Sequence, residues 1–154
     1  MNSIRHVAAL CAAICFTLPA VAQVTVTDPW VRGTVQGQLA TGAFMKLQSA
    51  KEARLVEAAS PVAGVVEIHE MALENNVMRM RAVTALALPA GRTVMLAPGG
   101  YHVMLMGLKQ QMKEGEVVPV TLVVESGGKR ETIEVKAPVR APTARSDMMK
   151  KHGH

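Results

Sequence analysis

Between Val24 and Val139 turn residues cut the chain into short apolar or alternating runs, and this spacing leaves no room for a helical core. Val24–Val26, Trp30–Arg32, Gly42–Leu47, Arg54–Ala59 and Val65–His69 have strand length and composition. So do Val77–Val83, Arg92–Leu96, Tyr101–Met106, Val117–Val124 and Glu131–Val135. Asp28-Pro29, Asn75-Asn76, Pro89-Ala90-Gly91, Pro98-Gly99-Gly100, Lys113-Glu114-Gly115 and Ser126-Gly127-Gly128 separate them. The pattern predicts an all-β fold, an antiparallel Greek-key barrel or sandwich.

Residues 1–22 read as an export signal rather than as part of that fold. Arg5 supplies the positive start, Val7 to Leu18 the apolar stretch, and Ala20-Val21-Ala22 a small-x-small cleavage site before Gln23. The apolar run is too short to span a bilayer, so no stable membrane insertion is expected. Both cysteines, Cys11 and Cys15, lie in this segment, so the mature chain of 132 residues out of 154 has none. That excludes a disulfide framework, a thiolate zinc site and a blue-copper centre. The expected location is the periplasm, where methionine is a soft ligand less easily lost to oxidation than cysteine.

Charge narrows the partners. Of the formal +5, Arg5 leaves with the signal, and Arg140, Arg145, Lys150 and Lys151 against Asp147 put +3 into residues 140–154. The body at 23–139 is close to neutral and has only Trp30, Phe44 and Tyr101 as aromatics, which argues against nucleic-acid binding.

The residues with chemistry to offer are His69, Met80, His102 and Met104. Two imidazoles and two thioethers are a neutral, soft set that suits Cu(I) better than zinc or calcium. On a strand His102, Met104 and Met106 share one face and Tyr101, Val103 and Leu105 the other. A tight turn at Asn75-Asn76 would pair Met71 with Met80 and set His69 diagonally across from Met80. Taken singly, each methionine reads as core packing and each histidine as a hydrogen-bonded core residue. Met45, Met95 and Met112 are left as packing. The pattern favours a site because the only two histidines of the body each have a methionine two residues later, with Met80 between them.

The spacing His69-x10-Met80-x21-His102-x-Met104, with Leu96-Ala-Pro-Gly-Gly-Tyr-His-Val-Met-Leu-Met-Gly-Leu108 around its second half, closely resembles the PCu(A)C periplasmic copper chaperone family. Asp28-Pro29-Trp30-Val31-Arg32 and the Leu88-Pro-Ala-Gly91 turn extend the likeness over most of the mature domain. The resemblance implies a cupredoxin-like barrel, not an enzyme, that binds one Cu(I) through His69, Met80, His102 and Met104. It also implies delivery to the dinuclear copper centre in the copper-bearing subunit of a cytochrome c oxidase, alongside a thioredoxin-like copper protein. A monomer is expected. Met71 falls outside the quartet and is assigned to its rim or as an alternative ligand, and Met106 to the core or to a supporting position.

Residues 140–154 are expected to form a flexible basic tail. Met148, Met149, His152 and His154 offer a secondary Cu(II) site there; the plain alternative is a solvated tail that collects metal adventitiously. The competing reading for the whole chain is a non-metal β-sandwich acting as a structural or interaction domain. Hydrolysis fits poorly, because Glu67 and His69 share a face with no nucleophile in view.

Overall fold

A computed structural model of the chain describes residues 23–142. The export signal predicted at 1–22 and the donors Met148, Met149, His152 and His154 lie outside the described residues. The strands are β1 (Val24–Arg32), β2 (Ala40–Ser49), β3 (Ala53–Ala59), β4 (Ala63–Glu74) and β5 (Val77–Ala82). They continue as β6 (Leu86–Leu88), β7 (Thr93–Leu96), β8 (His102–Leu108), β9 (Val117–Ser126) and β10 (Lys129–Arg140). Among the described residues there is no helix. The order is β5-β4-β8-β2-β1-β10-β9-β3-β6, with β7 pairing the second half of β2. The fold is thus all-β and cupredoxin-like, as the strand spacing and the resemblance together predict.

One pairing departs from the antiparallel rule. The end of β10 runs parallel to the end of β1, with Val31 opposite Val139 and Arg32 opposite Arg140. Most of β10 pairs antiparallel with β9, from Lys129–Ser126 to Pro138–Val117. This long strand therefore belongs to both sheets and folds one over the other. Leu47, Leu55, Val103, Leu105, Val120 and Leu122 meet between them, each fully buried. At about 1.5–3 kcal/mol per buried side chain, such a core can hold the fold without a disulfide.

Two departures from the expected strands have local reasons. Asp28-Pro29 reads as a break, but β1 runs through it as a bulge. The register shifts by one residue between Thr27 and Trp30, and Asp28 takes a φ of 51°. A proline is tolerated there because a bulge leaves its position out of the ladder. The extra residue also inverts the alternation, so Val24 faces the core before it and Val31 after it. Leu86–Leu88 is too short to show as a run, yet it pairs with β3 through Ala53–Leu88 and Leu55–Leu86.

The β4–β5 hairpin obeys its turn. Asn75 and Asn76 have φ values of 50° and 62°, the two left-handed positions of a type I′ loop between Glu74 and Val77. Met71 consequently pairs with Met80 and His69 with Ala82, the register foreseen from the sequence. On the other face of the hairpin Arg81 meets Glu70 at 2.6 Å and Glu74 at 3.3 Å.

Candidate metal centre

The core takes the side chains of Ile68, Val103 and Leu105, so the alternate residues His69, Met71, His102 and Met104 lie on the outer face of the sheet. Strand pairing assembles them. His69 sits directly opposite His102 across β4 and β8, with ring centroids 5.8 Å apart. Met80 comes from the edge strand β5, opposite Met71. Met71, Met80, His102 and Met104 all line one open depression of about 420 Å³, together with Phe44, Arg32, Gly42 and the Pro98-Gly99 loop. His69 is buried beside His102, and Met80 is half exposed.

The hydrogen bonds fix what each imidazole can do. His102 Nδ1 lies 3.1 Å from the carbonyl oxygen of Gly100, which can only accept, so Nδ1 carries the proton. The other nitrogen, Nε2, then presents a lone pair, and it faces the Met80 sulfur at 3.1 Å. Burial pushes the His102 pKa down, helped by its proximity to His69 and Arg32 and opposed by the Gly100 bond; the net shift favours the neutral ring. His69 Nε2 is 2.8 Å from a Glu67 carboxylate oxygen, and its buried Nδ1 has no partner. Each histidine thus holds an unshared nitrogen pair inside the structure.

In the neutral ring with its proton on Nδ1, imidazole Nε2 and the thioether sulfur are both electron-rich and face each other. A soft cation satisfies that arrangement; a second hydrogen bond does not. Among the described residues no three His, Cys, Asp or Glu side chains gather tightly enough to hold a metal, so a site here depends on the thioethers.

Aromatic packing builds the wall. Phe44 lies 4.5 Å from Trp30 and 6.2 Å from His102, centroid to centroid. Arg32 stacks over Phe44 at 5.3 Å and Arg140 over Trp30 at 5.1 Å, while Arg140 also bonds Asp28 at 2.6 Å. Gly42, opposite Met104, is required: a Cβ there would stand 2.8 Å from the tip of the Phe44 ring.

Of the residues singled out in the sequence, Met80, His102 and Met104 line the depression, and His69 lies outside its lining with its ring 5.8 Å from that of His102. Met71 lines the same depression. Met45 and Met112 are core, Met95 is exposed, and Met106 is half-buried on the His102 face but outside the depression. Sequence reasoning gave no site role to Phe44 or Arg32. For Arg32 the signal was the Asp28–Arg32 segment, whose outward placement shows only once the β1 bulge is seen.

The chain resembles solved PCuAC domains. The copper-bound PCuAC domain from PmoF2 matches with a TM-score of 0.64 and 26% identity, over 80% of this chain and 97% of that one. Apo-DR1885 from Deinococcus radiodurans matches at 0.59 and 30% identity, over 92% and 95% of the two chains. Its CuI form matches at 0.57 and 33%, over 82% and 81%. The family model described as "Putative lipoprotein LpqE-like" covers residues 24–139, and the chain belongs to that LpqE-like family. "Putative lipoprotein Lxx21020" of Leifsonia xyli subsp. xyli is 36% identical over 118 residues, 76% of this chain and 69% of the relative.

Proposed function

We infer that this chain is an exported copper chaperone, not an enzyme, and that it carries one Cu(I) on His69, Met80, His102 and Met104. The observation behind this reading is His102 Nε2 held 3.1 Å from the Met80 sulfur, with Nδ1 turned to the Gly100 carbonyl. The solved copper-bound and CuI relatives support copper as cargo, and the lipoprotein descriptions of the family support export. The residues 1–22 would supply the signal, and the periplasm the compartment. The acceptor we propose is the dinuclear copper centre of a cytochrome c oxidase, with a thioredoxin-like copper protein acting beside it. Neutral donors hold Cu(I) softly, so thiolates in an acceptor can replace the thioethers one at a time at the open depression.

Met148, Met149, His152 and His154 would add a Cu(II) site. X-ray absorption on the reduced mature protein tests the main reading: one Cu(I) with two sulfur and two nitrogen donors is expected. Oxygen-dominated coordination, or no Cu(I) uptake, would refute it. Truncation after Pro142 should leave Cu(I) binding intact and remove additional Cu(II) uptake; unchanged Cu(II) stoichiometry would make the tail inert.

A further inference from the structure

Among the described residues lining the depression there is one charged side chain, Arg32, and no carboxylate. The β1 bulge puts it there, on the same outer face as Phe44 and His102. Its Nε is shielded from solvent and, among the described residues, has no hydrogen-bond partner and no carboxylate within ion-pairing distance of the guanidinium. Arg140, two stacked rings away, contrasts with it by bonding Asp28 at 2.6 Å. A buried guanidinium N–H without an acceptor is costly to keep, and a guanidinium over an aromatic face still has its in-plane donors free. Neutral donors leave Cu(I) its full charge, so the loaded depression would hold two positive charges with no carboxylate in its described lining, Glu67 being engaged by His69 Nε2.

We propose that Arg32 is the receptor for an anionic sulfur donor, a thiolate, arriving at the loaded site. This rests on the copper reading above. The guanidinium draws the thiolate in by charge-assisted hydrogen bonding and places its sulfur beside the metal. One copper–thioether bond then breaks as one copper–thiolate bond forms. Copper remains Cu(I), no electron moves, and the thiolate charge cancels that of the metal. A thiolate fits better than a carboxylate because the metal is soft. Arg32 is therefore a positioning residue for release rather than a ligand.

The test compares two takers of copper from the loaded, mature protein: a reduced two-cysteine peptide and the neutral chelator neocuproine. Arg32→Gln should slow transfer to the peptide about tenfold and leave extraction by neocuproine unchanged, as loss of a steering charge does. Arg32→Lys should restore much of the peptide rate. Arg79→Gln, which removes the same charge from the hairpin, should change neither. Equal slowing towards both takers, or equal loss in Arg79→Gln, overturns the proposal.

If Arg32→Gln does not fold, the apo wild-type protein decides. Its Arg32 Nε–H resonance should shift saturably on titration with N-acetylcysteinamide thiolate and with the two-cysteine peptide at constant ionic strength. Saturation by the peptide alone assigns the anion to a protein acceptor; saturation by both admits free thiols. No saturable shift with either refutes the proposal. Because this titration needs no metal, it separates failure of the Arg32 assignment from failure of Cu(I) binding itself.

Discussion

His69 and His102 are direct partners across β4 and β8, yet their ring nitrogens are committed differently: His69 Nε2 to a carboxylate, His102 Nδ1 to the Gly100 carbonyl. The pair therefore keeps one lone pair on each ring, on opposite kinds of nitrogen. Four expectations follow from this site and the strands that carry it.

Acid should loosen the apo protein through His102. Its folded pKa is lowered, so below the ordinary histidine value of about 6.5 the unfolded chain binds the proton more readily than the folded one. The contribution is fully present above that value and is lost as pH falls through the lowered folded pKa. Urea midpoints should drop between neutral and mildly acidic pH, and His102→Met should flatten the drop. A wild-type midpoint that is constant over this range would contradict the burial of a neutral ring.

Thioether losses should separate from imidazole losses in Cu(I) competition. Met80→Leu or Met104→Leu should weaken binding by more than about tenfold, the level that loss of a mere supporting contact already reaches. Their pH slope should persist, because methionine has no proton to lose. Met71→Leu should have the smaller effect. A Met71→Leu loss as large as that of Met80→Leu would place Met71 in the coordination set.

The hairpin turn should matter at a distance from the metal. Asn75 and Asn76 both sit at positive φ, where a β-branched side chain is strained by about 1–2 kcal/mol per residue. Asn75→Val with Asn76→Val should lower stability by that order and weaken Cu(I) binding by releasing the register that aims Met80. Asn76→Gly should preserve both. Chemical denaturation and chelator competition on the same samples check the pair of outcomes.

Gly42→Ala should disturb the aromatic wall. The new methyl would meet the Phe44 ring, which is held between Trp30 and Arg32 and cannot swing freely. A loss of about 1–3 kcal/mol is expected from overpacking. His102 ring resonances should shift with it; a spectrum unchanged at His102 would show that Phe44 does not brace the site.

Strand periodicity is strict, so the sequence put His102 with Met104 on one face and, through the two-residue turn, His69 and Met71 with Met80 on another; the β4–β8 pairing that joins the two groups left no local mark. The β4–β5 register followed from Asn75-Asn76 alone. The bulge at Asp28-Pro29 was not legible, since a turn-forming pair signals a break and a bulge equally well. With it went the outward placement of Arg32. Leu86–Leu88 escaped because three residues carry no period, and the parallel meeting of β1 and β10 because long-range pairing leaves no local mark. The extension of β4 to Glu74 was partly foreseen through the turn, although its apolar run ends at His69.

The proposed ligands are shared unequally between strands. His102 and Met104 sit on β8, held by neighbours on both sides, whereas Met80 rides on β5, the last strand of the sheet and exposed along its whole length. Edge strands of this kind exchange their amide hydrogens through small, local openings that leave the rest of the fold intact. Fraying of β5 would withdraw one sulfur while the two imidazoles stay in place. The hold on the cargo can then be relaxed on the timescale of edge breathing, far faster than the protein unfolds.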